Sequence, residues 1–165
     1  MGDSQAMIRL ADQPGDLGWI VMAHGELYAR EFGWDASFEA LVARIVADYA
    51  EKHDPAREAT WIAEANGQRV GCISVVAADD TTARLRVLLV DPAGRGSGLG
   101  IRLVDLVIDF AREAGYERIV LWTHDVLTAA ARIYLKAGFV LTSAAPEHHF
   151  GADLISQTYE LNLRR

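Results

Sequence analysis

The stretch LLVDPAGRGSGLGIRLV, residues 88–104, decides how the rest of the chain is read. An apolar run ends at Val90, and Asp91-Pro92 turns the backbone out of any sheet. Gly94, Gly96, Gly98 and Gly100 then lead into an apolar helix. Glycine loses more conformational freedom on folding than any other residue, so this density calls for bare backbone. Free N–H groups at a helix start, with the helix dipole behind them, form an anion site. Gly96, Gly98 and Gly100 leave room for phosphate oxygens to reach that backbone, and Arg95 adds a charged donor. The alternative is a tightly packed helix start that holds no ligand. A P-loop would need Gly-Lys-Ser/Thr after four intervening residues, and no such lysine follows. A dinucleotide fingerprint would need G-x-G-x-x-G in a βαβ unit, whereas the spacing here is Gly96-x-Gly98-x-Gly100.

Around this loop lie 165 residues, read as a single domain over 1–165. Apolar residues make up 51% and charged residues 24%, the balance of a globular protein with a core of its own. The net charge of −7 argues against nucleic acid as a partner and mildly favours a cationic ligand. The lone Cys72 rules out an internal disulfide and suits a reducing compartment. The opening MGDSQAMIRLADQPGDLGW shows no basic region followed by an apolar run, and no apolar run is long enough to span a membrane. The expectation is a cytoplasmic protein with no membrane partner.

Ahead of the loop, AMIRLA alternates like a strand. Residues 15–32 carry a broken helical pattern (Leu17, Ile20, Val21, Leu27, Tyr28) with Gly25 inside it. Residues 35–53 form a cleaner helix, capped by Asp35 or Ser37, with a stripe of Phe38, Leu41, Val42, Ile45, Val46 and Tyr49. Asn66-Gly67 between apolar runs signals a hairpin, and Asp79-Asp80 a looser turn, giving three antiparallel strands near 59–65, 69–77 and 83–90. After the loop, Leu99, Leu103, Leu106, Val107, Phe110 and Ala114 line one helix face, and Gly115 stops the helix. ERIVLWT reads as an apolar strand and VLTAAARIYLKAGF as a helix ended by Gly138. FVLTSA and ISQTYELNL read as closing strands separated by a loop holding PEHHFG. The order β-α-α-β-β-β-α-β-α-β-β predicts an α+β domain: a mixed, mostly antiparallel twisted sheet of about seven strands with about four helices.

Arg95-Gly96-Ser97-Gly98-Leu99-Gly100 resembles the R/Q-x-x-G-x-G/A motif of the GNAT N-acetyltransferase superfamily. AARIYLKAGF, with Tyr134 and Gly138-Phe139, resembles that family's second motif, and the element order fits along the whole chain. LWTHDVL, HHFGADLISQTYEL and HGELYAREFGWDASFEALVA look like the acetyltransferase part of bacterial MarR/GNAT-type proteins, without room here for the winged helix. The resemblance implies a GNAT-like fold and acetyl-coenzyme A as co-substrate. Backbone of Leu88, Leu89 and Val90 would flank a splay in the sheet, and N–H groups from Arg95, Gly96, Ser97, Gly98, Leu99 and Gly100 would hold the pyrophosphate. It also implies a primary amine of a small molecule or amino-acid-like compound as acceptor, and a possible homodimer. The other functions carried are a coenzyme A-binding regulatory module and a peptide N-acetyltransferase.

Tyr134 is the candidate acid for the departing thiolate, because a phenol keeps its proton at neutral pH. Outside its motif it would read as a core tyrosine. Trp122 and Leu127 stand where the family often shows an acid and an asparagine, which leaves the base open among His148, His149, His124, Asp125, Glu26 and Glu31. Tyr28, Trp34, Trp122, His148 and His149 are the candidate acceptor-site residues, with Phe32 beside them; ordinary core, or an exposed loop for the histidines, is the competing reading. No metal-ligand spacing is present, and Cys72 reads as a buried strand residue.

Overall fold

A computed structural model of the chain describes residues 5–164. Residues 1–4, the front of the segment in which no secretory signal is read, lie outside the described residues. The order is β1 (Met7–Leu10), α1 (Asp16–Phe32), α2 (Ala36–Lys52), β2 (Ala59–Ala65), β3 (Gln68–Ala77), β4 (Thr82–Val90), a 3-10 turn (Pro92–Gly94), α3 (Leu99–Glu113), β5 (Arg118–His124), α4 (Thr128–Lys136), β6 (Val140–His149) and β7 (Ala152–Asn162). The seven strands form one sheet in the order β1-β2-β3-β4-β5-β7-β6. Only β4 and β5 run parallel; every other neighbouring pair is antiparallel.

Asn66 (φ 54°) and Gly67 (φ 77°) take the left-handed conformation that a two-residue hairpin requires, as their sequence predicts. The side chain of Asp35 accepts the Ser37 N–H at 3.0 Å and caps α2. Two expectations need correction. Residues 16–32 form one unbroken helix, because Gly25 sits where α1 meets α2 and a Cβ there would collide with Glu39. The predicted loop around PEHHFG does not exist: β6 runs on to His149, and Phe150-Gly151 turns directly into β7.

Each sheet face has its own core. Leu85, Leu99, Leu103, Val107 and Phe139 pack between the sheet and α3 and α4. Ile20, Val42, Val46, Ile62 and Cys72 pack between the sheet and α1 and α2. At the start of α1 the buried Asp16 accepts two hydrogen bonds from Arg9 (2.7 and 2.9 Å) and one from Arg69 Nε (2.9 Å). That clamp fastens α1 to β1 and β3, and the paired Arg9 guanidinium holds the Asp16 carboxyl well below the usual carboxylate range. Among the described residues no helix is long and apolar enough to cross a membrane.

Candidate active site

The sheet opens where the parallel pair β4–β5 comes apart. β4 and β5 pair at Thr82↔Arg118, Ala83↔Ile119 and Arg84↔Val120, and no further. Beyond that point β4 stays with β3 as far as Val90↔Gly71, while β5 stays with β7 as far as His124↔Ser156. A bulge explains the parting. Between the Cys72↔Leu89 and Ser74↔Arg86 pairs, β4 has one more residue than β3, and Val87 lies at φ 51°. An extra residue bends its strand and increases the local twist, which turns β4 away from β5. Leu88, Leu89 and Val90 therefore border a splay, with backbone on the β5 side that no strand pairs.

The glycine loop begins at the open end of that splay. Asp91 accepts from Ala93 N–H at 2.9 Å and closes the 3-10 turn, whose Gly94 packs under Val70. Gly96 (φ 88°) and Gly98 (φ 75°) adopt left-handed backbone with open space where a Cβ would stand. The bond from Arg102 N–H to Gly98 O (3.1 Å) opens the helical ladder, so N–H groups of Leu99, Gly100 and Ile101 have no acceptor within α3. Not every loop residue faces outward. Ser97 Oγ donates back to Gly94 O at 3.1 Å, and Leu99 is core. A Cβ on Gly100 would meet Ile133 rather than open space, so this glycine serves helix packing. Arg95 donates to Glu31 at 2.8 Å, which pairs a base candidate with the loop instead of leaving it in the cleft.

On the α1–α2 side of the splay lies a cleft of about 900 Å³ that brings together Tyr28, Trp34, Trp122, Tyr134, His148 and His149. Tyr28 stacks on Phe38 with centroids 4.9 Å apart, and Trp34 packs on Phe38 and Phe150 at 4.8 Å each. Trp122 stays 46% exposed at the rim, beside His149. His148 pairs with Asp153 at 2.9 Å and His149 with Glu147; both stand on β6 rather than in a loop. Tyr134 on α4 is buried and makes no hydrogen bond to another described residue. Burial pushes its phenol above the usual tyrosine value, so the hydroxyl keeps its proton throughout the neutral range.

Among the remaining base candidates, Glu26 is exposed on α1, and Asp125 accepts the Ile155 N–H at 2.9 Å outside the cleft lining. His124 stands apart from them. It ends β5 on the splay, it is 3% exposed, and its Nε2 is buried without a partner among the described residues. Burial, reinforced by His149, lowers it to about 4, so the imidazole is neutral at pH 7 and holds a free lone pair. Sequence reasoning missed His24, which also lines the cleft. Its Nδ1 donates to Ile20 O at 2.7 Å, and burial lowers it to about 4. A single histidine inside an amphipathic helix carries no signal of that position. Cys72 is buried, and burial pushes its thiol up, away from nucleophile chemistry.

The sequence model of the acetyltransferase (GNAT) family matches residues 21–139. An uncharacterized N-acetyltransferase of Schizosaccharomyces pombe is 31% identical over 151 residues, covering 90% of each chain. Human N-acetyltransferase 8B is 36% identical over 93 residues, which are 53% of this chain and 41% of that protein. A Salmonella typhimurium protein solved with its cofactor acetyl-CoA has the same fold, with a TM-score of 0.76 at 23% identity over 98% of this chain and 96% of that one. With the matched family region running from α1 through the splay and the glycine loop to the end of α4, the chain belongs to the GNAT acetyltransferase family and is an N-acetyltransferase.

Proposed function

We propose that the protein transfers the acetyl group of acetyl-CoA directly to the primary amine of a small or amino-acid-like molecule. The observation that carries this reading is the splay between β4 and β5, which joins the glycine loop at one end to the cleft holding Tyr134 and His124. The residues present fit the co-substrate. Gly96 and Gly98 leave a cradle that a Cβ would narrow, and the open N–H groups of Leu99, Gly100 and Ile101, with Arg95, suit a pyrophosphate. The backbone along Leu88, Leu89 and Val90, held by β3 on one side and by no described strand on the other, suits an amide-bearing arm and a thioester carbonyl.

Bound acetyl-CoA supplies an acetyl group activated as a thioester. His124, neutral at pH 7 and unpartnered at Nε2 among the described residues, hydrogen-bonds the amine as its C–N bond forms. An imidazole lowered to about 4 does not keep the amine's proton, which passes to solvent at the rim of the cleft. Tyr134 gives its phenolic proton to the sulfur as the C–S bond breaks. Tyr28, Trp34 and Trp122 wall the acceptor, with Trp122 at the open rim, while His148 and His149 edge the entrance. The finer likeness to bacterial winged-helix-linked acetyltransferases rests on the segments quoted for it and concerns the acetyltransferase part alone. Calorimetric titration with acetyl-CoA tests the donor: binding in the micromolar range is expected, and no heat at millimolar ligand would remove the reading.

A further inference from the structure

The whole chain is acidic, yet the cleft is not. Arg44, Arg84 and Arg86 line it, and no Asp or Glu is among its described lining residues. Alternation along β4 explains how two of them arrive there. Ala83 and Leu85 enter the core under α3, so Arg84 and Arg86 stand on the opposite face, toward α2, where Arg44 lies. None of the three makes an ion pair with another described residue; Asp48 on α2 acts on Arg86 only through space. Two guanidiniums are thus held half-buried side by side with no described carboxylate bonded to either, and their mutual repulsion is relieved when an anion joins them.

The pyrophosphate of the donor does not explain them. From Arg84 to Val90 the strand advances six residues, up to about 20 Å at roughly 3.3 Å each and somewhat less for the bulge at Val87, before the glycine loop even begins. The arginines sit at the closed end of the splay, and the loop sits at its open end. Arg86, by contrast, is only two residues from Leu88, or about 7 Å along the strand. An anion held by its guanidinium is therefore within one small molecule's length of the place where the reacting amine must sit.

We infer that the acceptor carries a carboxylate as well as its amine, and that Arg84 and Arg86 hold this carboxylate, with Arg44 covering it from α2. Paired guanidiniums match a carboxylate's two oxygens, and the aromatic wall of Trp34, Phe38 and Phe150 receives an apolar side chain. This inference rests on the N-acetyltransferase reading and reverses what the net charge suggests: the acceptor site selects an anion.

The test uses matched pairs that differ only in the carboxylate: L-phenylalanine against 2-phenylethylamine, L-leucine against 3-methylbutylamine, and L-methionine against 3-(methylthio)propylamine. Thiol release from acetyl-CoA should give kcat/KM at least tenfold higher for the acid of a pair. The Arg84→Gln/Arg86→Gln variant should collapse that ratio toward one while its Kd for acetyl-CoA stays within twofold, and Arg86→Lys should recover part of the ratio. Equal or better use of the decarboxylated amines overturns the inference. So does a double variant that weakens acetyl-CoA binding in proportion, since the arginines would then serve the donor. Calorimetry of the same pairs on CoA-loaded protein separates the two claims. Arginine-dependent binding of the acids without acetyl transfer counts against the enzyme reading alone, and absence of binding by every acid overturns the anion site.

Discussion

A Cβ built on Gly100 would lie 2.6 Å from Cδ1 of Ile133, so the glycine in the first turn of α3 is the socket into which α4 docks. Ile133 immediately precedes Tyr134, and the contact therefore sets where the phenol stands. Gly100→Ala gains helix propensity but overpacks this contact, and the outcome should be a loss of about 1 kcal/mol in stability by urea unfolding. Ile133→Val removes the obstructing methyl. Combined with Gly100→Ala it should restore most of the loss, giving a coupling energy of opposite sign in a double-mutant cycle. Additive effects of the two substitutions would show that the helices do not meet there.

That contact marks the boundary of what the sequence makes legible. Asn66-Gly67, the Asp35 cap and the stripe of Leu99, Leu103 and Val107 are local: each residue's own backbone or side-chain chemistry dictates its structure. Gly96 and Gly98 belong with them, since their positive φ values are what a glycine-rich turn provides. Gly100 looks identical in sequence yet answers to a helix more than 30 positions away. Phe150-Gly151 escaped recognition because its first residue is a bulky aromatic in a conformation that favours glycine or asparagine, held there by tertiary packing. Arg84 and Arg86 share a face by strand alternation, but the cleft that this face lines opens at the bulge around Val87, which leaves no mark in the sequence. Tyr28, Trp34, Trp122, His148 and His149 do converge on one cleft, whereas Glu26 and Glu31 do not line it.

Tyr134→Phe tests the proposed proton donor. The ring is packed 5.8 Å from Phe139 and 6.1 Å from Tyr159, and the hydroxyl bonds to no described residue, so the fold should tolerate its removal. kcat should fall by about 100-fold with the KM for acetyl-CoA nearly unchanged, the size expected for one positioned acid. Because burial raises this phenol, the wild-type rate should show no loss from its ionisation below about pH 10. Undiminished turnover of the variant would assign Tyr134 to packing.

Stability should fall as pH drops from 6.5 toward 4. His24 and His124 are lowered from 6.5 to about 4 by burial, so in that window the unfolded chain binds protons that the folded chain refuses. The stabilisation is fully present above pH 6.5 and lost on passing through 4. For the fully buried His24 it amounts to about 3 kcal/mol, at 1.36 kcal/mol per pKa unit. Asp16 acts in a second window: its depressed carboxyl stabilises the fold above the ordinary carboxylate value and is lost only as pH falls below that. Urea midpoints measured between pH 7 and 4.5 should decline, and the decline should shrink in His24→Leu. An unchanged midpoint across that range would place both imidazoles in water.

Phe150 combines strain with burial in one residue, and its replacement separates donor from acceptor. At φ 57° it opens the two-residue turn between β6 and β7, while its ring packs 4.8 Å from Trp34 and 5.0 Å from Phe38. Its carbonyl also accepts the Asp35 N–H at 3.0 Å, tying the turn to the cap of α2. Asparagine suits the left-handed conformation and relieves about 1–2 kcal/mol, but losing a buried phenylalanine ring costs about 3–5 kcal/mol. Phe150→Asn should therefore be destabilised by a net of about 2 kcal/mol. The turn survives in that variant, so the glycine loop across the sheet keeps its geometry and the KM for acetyl-CoA should hold. The KM for the acceptor should rise about tenfold, because the cleft loses one aromatic wall. A matching rise in both constants would mean that the turn supports the whole splay and not the acceptor side of it.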